Sequence, residues 1–160
     1  MPVVIVEHIS QGFDGGLAPW LDGLSPLTIG LADDGTALRG REAGIAPCDR
    51  HVTISAVDRT GPARLEPADG WPSAFRKGPV SLGRHALAVI LTGMGEDGAG
   101  GLVDLHDAGG TELAQDEASC WSTGYPPRRV ARGVVHQMLA LDAMADGILA
   151  TLGPRRAAAA

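Results

Sequence analysis

Short apolar runs separated by glycine-rich turns dominate the pattern of this chain. Residues 86–91 form a continuous apolar run, which is short enough for a strand that is buried on both faces. A glycine-rich turn follows, after which apolar residues recur at Leu102, Val103 and Leu105. This spacing places them on one face of a helix, and the glycine pair at 109–110 is typical of a helix end. The pattern therefore predicts a strand, a tight turn and a helix.

The remaining segments predict further strands and two amphipathic helices. Strands are expected at 3–6, 27–31 and 111–115, and two short strands between about 45 and 55 are expected to form a hairpin. Residues 60–83, which are rich in proline and glycine, are expected to be irregular. The residues expected to face the core are Leu17, Trp20, Leu21 and Leu24 in a helix within 12–24, and Leu141, Met144, Ile148, Leu149 and Leu152 in a helix over 139–152.

Strands that alternate with helices indicate the fold class. We expect an α/β domain with three layers and a mostly parallel, doubly wound sheet. The domain is expected to span residues 1–153, because residues 154–160 lack core side chains and are typical of a disordered tail.

Composition and charge exclude several functional classes. A length of 160 residues fits one domain with a sizeable core. The net charge of −6 argues against nucleic-acid binding, and no apolar stretch approaches the roughly 18 residues of a membrane span. No signal peptide is recognisable, and Cys48 and Cys120 are too few for a disulfide framework. We therefore expect a cytoplasmic protein without membrane insertion.

Three interpretations of the glycine-rich turn compete. Asp97 is a good helix N-cap, since its carboxylate can accept the free N–H groups of a first helical turn. The pattern Gly93-x-Gly95-x-x-Gly98 formally matches a dinucleotide-binding turn, but Glu96 and Asp97 would repel a pyrophosphate. In the third interpretation Asp97 is catalytic, because sites in open α/β sheets lie at the carboxyl ends of the strands.

His8 strengthens the catalytic interpretation. It follows the strand predicted at 3–6, so His8 and Asp97 both lie just past the carboxyl end of an apolar strand. Such ends converge on one crevice, and we expect the two side chains to lie within about 7 Å of each other. A histidine oriented by an aspartate supplies two members of a hydrolytic triad.

Several segments together resemble a known family. Residues 91–99 read Leu-Thr-Gly-Met-Gly-Glu-Asp-Gly-Ala, and residues 114–119 read Ala-Gln-Asp-Glu-Ala-Ser. In this order and spacing they resemble the catalytic domain of CheB, the chemotaxis protein-glutamate methylesterase. Further matching segments, which extend the resemblance over nearly the whole chain, lie at 4–8, 45–51, 124–126, 133–135 and 141–142.

The resemblance implies an activity, a protein substrate and a set of site residues. The activity is hydrolysis of glutamyl methyl esters on methyl-accepting chemotaxis receptors, with related deamidation of glutamine. A serine would attack the ester, His8 would take and return its proton, and Asp97 would orient His8. Backbone N–H groups near Met94 and Gly95 would help to hold the oxyanion. No metal or organic cofactor is implied.

The chain departs from the family pattern at its start. The family carries its serine in a glycine-rich turn after a first strand, upstream of the histidine-bearing strand, and Met1 stands where the loop before that second strand would lie. We therefore expect the domain to lack this first strand and its serine. The serines that we considered as substitutes are expected to be ordinary loop hydroxyls; they are Ser10, Ser73, Ser119 and Ser122.

Two alternatives to the enzyme stay open. One is an inactive, receptor-binding remnant of the family domain, and the weaker one is a dinucleotide-binding domain. The chain shows no phosphate-accepting receiver domain, so we expect any phosphorylation control to come from elsewhere.

Overall fold

The computed structural model describes residues 1–7, 9–10, 12–33, 35, 37–48, 51–56, 63–68, 83–91, 98–120 and 133–153, with the backbone alone for 51–56, 63–68 and 98–100. The strands are β1 (Val3–Ile5), β2 (Thr28–Leu31), β3 (Ala37–Leu38), β4 (Glu42–Ile45), β5 (His51–Ala56), β6 (Ala63–Ala68), β7 (Leu87–Ile90), β8 (Thr111–Gln115) and β9 (Gln137–Leu139). The helices that the structure describes from end to end are α1 (Asp14–Leu24), α2 (Gly98–Asp107) and α3 (Met144–Leu152), with short 3₁₀ turns at Gly83–His85 and Leu141–Ala143; residues 133–134 are also helical.

The first sheet is parallel and centres on β4. Its order is β1-β4-β2, and both neighbours run parallel to β4. Ala43, Gly44 and Ile45 of β4 are buried, as expected for a central parallel strand that is covered on both faces. The chain reaches β2 from β1 through α1, so β1, α1 and β2 form one crossover unit.

The second sheet is also parallel and centres on β8. Its order is β7-β8-β9, and both pairs are parallel. The helix α2 connects β7 to β8 and packs Leu102 and Leu105 against Ala88 and Ile90. Parallel pairing in these two sheets, with helices as connections, confirms the predicted α/β class.

The glycine pair after α2 ends the helix as predicted. Gly109 has a φ of 79°, a backbone conformation that glycine adopts without the steric cost of a side chain. The Gly109 N–H donates to the His106 carbonyl at 2.8 Å, and the Gly110 N–H donates to the Leu105 carbonyl at 2.9 Å. These two bonds form a Schellman motif, which turns the chain directly into β8.

The third sheet corrects two predictions. It is antiparallel, with the order β3-β6-β5. The hairpin expected between 45 and 55 is wrong, because Ile45 ends the parallel strand β4 and the partner of β5 is β6. The segment 60–83, expected to be irregular, contains β6, in which Pro67 pairs opposite Val52.

The predicted core faces of the helices are only partly correct. Leu102 and Leu105 are buried, but Val103 is 37% exposed. In α1, Trp20 and Leu24 are exposed, and near α3 the same is true of Leu141 and Leu149. The predicted start of the last helix at 139 is also wrong, since Leu139 ends β9 and α3 begins at Met144. Helical spacing identifies which residues share a face, but it does not identify the part of that face that a neighbouring element covers.

The two parallel sheets have four edge strands among the described residues, β1, β2, β7 and β9. Among the described residues, β1 pairs with β4 alone and β7 pairs with β8 alone.

Within the described residues, none of the helices has both the length and the apolar character required of a membrane span.

The packing of α2 predicts unequal effects of truncation at two neighbouring positions. Leu105→Ala removes a side chain that is 1% exposed, so it should lower the free energy of unfolding by about 2–5 kcal/mol. Val103→Ala, on the exposed face of the same helix, should change it by less than about 0.5 kcal/mol. Urea unfolding followed by circular dichroism measures both values. Equal losses for the two variants would contradict the orientation of α2.

Candidate active site

The predicted catalytic residues lie outside the described residues, but the elements next to them are described. His8 comes three residues after the end of β1 at Ile5, and Asp97 immediately precedes α2. Met94 and Gly95 fall in the segment between β7 and α2, which is also outside the described residues. The expected proximity of His8 and Asp97 therefore stays a prediction, as do the three interpretations of this turn.

The segments that follow β1 and β4 are tied together by hydrogen bonds. The Ala46 N–H donates to the Ile5 carbonyl at 2.8 Å, which continues the pairing of these strands past β4. Further along, the Cys48 N–H donates to the Asp14 carboxylate at 3.4 Å. Asp14 begins α1, so one carboxylate joins the helix that follows β1 to the loop that follows β4.

Asp14 stays ionised in this position. Burial alone would raise the pKa of Asp14, but hydrogen bonds from Cys48 and from the Gly15 N–H outweigh burial and hold the pKa below its usual value. A negative charge in the first turn of α1 is also favourable because it faces the positive end of the helix dipole.

The carboxyl end of β8 carries a second hydrogen-bonded turn. The Ser119 hydroxyl donates to Asp116 Oδ1 at 2.6 Å, and the Ser119 N–H donates to the same oxygen at 2.9 Å. The fully buried Gln115 donates its amide to the Ser119 carbonyl at 2.8 Å. The Leu141 N–H donates to the Ser119 hydroxyl at 3.1 Å, which fixes the turn to the segment after β9.

These contacts define the part that Ser119 plays. Its hydroxyl donates to a carboxylate and accepts an N–H from Leu141, so it holds a loop in place. Its hydrogen bonds to Asp116, of which the hydroxyl makes the larger contribution, lower the pKa of that carboxyl. The geometry supports the expectation that Ser119 is an ordinary loop hydroxyl.

Sequence reasoning missed one group of side chains with metal-ligating chemistry. His106, Glu112 and His136 place one ligand atom each within 4.8 Å of one another. They come from the last turn of α2, from β8 and from the residue before β9. Their separations in sequence match no familiar ligand spacing, so only the fold brings them together.

Comparisons with a family model and with curated proteins both match this chain to protein-glutamate methylesterases. A family model described as CheB methylesterase matches residues 1–148. The chain is 42% identical over 150 residues to protein-glutamate methylesterase/protein-glutamine glutaminase 4 of Myxococcus xanthus, covering 91% of this chain and 42% of that protein. It is 38% identical over 159 residues to the protein-glutamate methylesterase/protein-glutamine glutaminase of Ralstonia nicotianae, covering 94% and 41%. The chain thus spans about two fifths of the length of these relatives.

The fold is similar to that of a solved catalytic domain. The crystal structure of the Thermotoga maritima CheB methylesterase catalytic domain superposes with a TM-score of 0.76 at 28% identity. The match covers 92% of this chain and 82% of that chain.

The turn after β8 predicts a pH-dependent effect of a serine substitution. Ser119→Ala removes a hydroxyl that donates to Asp116 and accepts from Leu141 and Gln115, so it should lower the melting temperature at pH 7 by roughly 2–8 °C, the effect of losing about 1–2 kcal/mol in a domain of this size. The pKa of Asp116 is lowered in the folded state. The hydrogen bonds that Asp116 accepts therefore stabilise the fold fully when the pH is above the pKa of Asp116 in the unfolded chain, and this stabilisation is lost as the pH falls through its pKa in the folded state.

The difference between wild type and Ser119→Ala should therefore be largest near neutral pH and should shrink below about pH 4. Ser25→Ala is a suitable control, because the Ser25 hydroxyl accepts one N–H, from Leu27, and involves no carboxylate. Scanning calorimetry across pH measures both differences. A Ser119→Ala difference that does not depend on pH would contradict the pairing with ionised Asp116.

Proposed function

Because this chain belongs to the CheB methylesterase family, we propose that it forms the catalytic part of a protein-glutamate methylesterase and protein-glutamine glutaminase. The substrate class is glutamyl methyl esters, and related glutamine amides, on methyl-accepting chemotaxis receptors. The family match over residues 1–148 carries the proposal, and the parallel sheets with connecting helices are consistent with it.

The proposed mechanism assigns separate roles to His8 and Asp97. A serine hydroxyl attacks the ester carbonyl while His8 takes its proton, and His8 then returns the proton to the departing methanol. Asp97 accepts the other imidazole N–H, which fixes the tautomer and stabilises the imidazolium. Backbone N–H groups at Met94 and Gly95 are proposed to bind the oxyanion that forms on the carbonyl.

The position of Asp97 directly before α2 supports its proposed role. The start of α2 at Gly98 offers free N–H groups and the positive end of the helix dipole, both of which favour an ionised carboxylate. A carboxylate has two oxygens, so Asp97 can cap α2 with one and accept the histidine N–H with the other. The capping and catalytic interpretations are therefore compatible.

The tied loops described above support a preorganised site. The loop after β4 is held to β1 and α1 through Ile5 and Asp14, and the turn after β8 is held by Gln115 and Leu141. Catalytic groups need fixed neighbours, because small displacements of a reacting group cost large factors in rate. We propose that these two turns border the crevice that receives the substrate.

The nucleophile is proposed to lie in a turn that follows a strand placed between β1 and β7. Both strands have a free side among the described residues, and a parallel strand placed there would use their backbone groups. Its carboxyl end would then adjoin the segments that carry His8 and Asp97. A serine in the following turn would be within reach of the histidine.

The mechanism predicts the effects of two substitutions on a protein that includes the serine-bearing turn. His8→Ala should leave only the roughly 10³–10⁴-fold acceleration over water that binding and the oxyanion hole supply. Asp97→Asn should lower kcat by about 10⁴-fold, since it favours the wrong tautomer. Methanol release from a methylated chemoreceptor measures both effects.

His85→Ala is the matched control, because His85 is an exposed histidine in the 3₁₀ turn before β7, and it should retain full activity. The 160-residue chain alone should show near-background methanol release that His8→Ala does not change. His8-dependent turnover by that chain would show that another of its hydroxyls is the nucleophile. Receptor binding without turnover, in a protein that includes the serine-bearing turn, would favour the inactive remnant.

A further inference from the structure

A buried carboxylate lies between two histidines at the amino-terminal half of β8. Glu112 is fully buried, and its Oε2 lies 2.5 Å from His136 Nδ1 and 3.5 Å from His106 Nδ1. The two imidazole rings are 5.4 Å apart between centroids. The group is separate from the proposed active site, because Glu112 precedes Gln115 by three residues, about 10 Å along the strand.

The carboxylate is not fully satisfied by the side chains around it. Glu112 Oε1 is buried and has no hydrogen-bond partner within the described part of the chain. An ionised carboxylate in such a position is costly unless it is paired or coordinates a metal ion. The fold therefore places an acceptor oxygen where a cation would be strongly favoured.

The contacts of His136 also indicate a cation. The Glu112 N–H points to His136 Nδ1 at 3.4 Å, which requires a lone pair on that nitrogen. The same nitrogen lies 2.5 Å from Glu112 Oε2, which is itself an acceptor when ionised. Two lone pairs at this distance repel each other unless a proton or a metal ion lies between them. One ring nitrogen has a single lone pair, so a metal ion on Nδ1 would relieve the repulsion with Oε2 and would take that lone pair from the long 3.4 Å contact with the Glu112 N–H.

We propose that His106, Glu112 and His136 form a binding site for Zn²⁺. Two imidazoles and one carboxylate are a familiar donor set for zinc, with a water molecule as the fourth ligand. Ligands of one tetrahedral Zn²⁺ lie about 3.4 Å apart at bond lengths near 2.1 Å. The present atoms lie within 4.8 Å of one another, so side-chain shifts of about 1 Å complete the site.

The site is accessible from solvent, and an ion bound there would link three secondary-structure elements. The side chains of His106 and His136 are 39% and 47% exposed, so the site is open to solvent on the histidine side. A bound ion would connect the last turn of α2, the central strand β8 and the residue before β9. Such a link stabilises the folded state, because the unfolded chain does not hold the three ligands together.

The test measures thermal stability of the tag-free protein, first freed of metal with a chelator. Zn²⁺ at about 100 times its dissociation constant should raise the melting temperature by roughly 5–10 °C. Mg²⁺ at the same concentration should give no comparable rise, since it prefers sites made of oxygen ligands. Co²⁺ should bind in place of Zn²⁺ and give a visible absorption spectrum typical of nitrogen and oxygen ligation.

Three variants and one control identify the ligands. His106→Ala, His136→Ala and Glu112→Gln should each weaken Zn²⁺ binding by more than about 100-fold and abolish the cobalt spectrum. His85→Ala removes an exposed histidine outside the cluster and should keep the full zinc effect. If the buried substitution prevents folding, His106→Ala remains decisive because His106 lies on the exposed side of the cluster.

Two outcomes would overturn the proposal. In the first, Zn²⁺ leaves the melting temperature of the wild-type protein unchanged while His136→Ala lowers it without metal, which would identify the cluster as a hydrogen-bonded network. In the second, the zinc effect is equal in the wild type and both histidine variants, which would place the ion elsewhere. Neither outcome depends on methylesterase activity.

Discussion

Burial of β8 is the constraint on which the turn at Ser119 and the proposed zinc site depend. Four consecutive residues of this central strand, Glu112 to Gln115, are buried, and the two at the ends of that run are polar. A buried polar side chain must find a partner, so the segments around β8 are arranged to provide one at each end. Gln115 is paired with the turn at Ser119, whereas Glu112 is flanked by two histidines. The need to satisfy two side chains thus organises opposite ends of one strand.

This arrangement separates two kinds of chemistry within a single sheet. The turn that Gln115 supports lies at the carboxyl end of β8, the edge at which α/β proteins place their catalytic groups. The proposed zinc site lies toward the amino-terminal end, where α2 finishes and β9 is about to begin. An ion held there would act on the stability of α2, whose first residue directly follows Asp97. The mechanism proposed for the active site assigns roles to a serine, a histidine and an aspartate and gives none to a metal.

The parts of the fold that sequence predicts well are those with strong local signals. A continuous apolar run identified β7, and a Schellman glycine marked the end of α2. The strand β6 was missed because Arg64, Glu66 and Pro67 interrupt any apolar pattern, and β4 was misassigned because Glu42, Ala43 and Gly44 are weak strand formers. Both strands are determined by their partners rather than by their own residues.

The two candidate sites also differ in whether a local sequence signal reveals them. His8 and Asp97 were predicted from motifs and from their positions after apolar strands, which are local features. The cluster of His106, Glu112 and His136 depends on strand order and on the exit direction of α2, neither of which a single sequence displays. Glycine-containing turns can be recognised from a few residues, but the convergence of side chains from three elements follows only from tertiary structure.

The connectivity of the two parallel sheets has a consequence for folding. The first sheet is assembled from residues 3–45 and the second from residues 87–139, with the antiparallel hairpin of β5 and β6 between them along the chain. Each parallel sheet therefore pairs strands that lie at most about 40 residues apart along the chain, whereas pairing between the two halves would close longer loops at a higher cost in chain entropy. Contiguous units of this kind open and close as separate cooperative blocks. The chain is thus suited to forming its two halves independently and joining them in a later step.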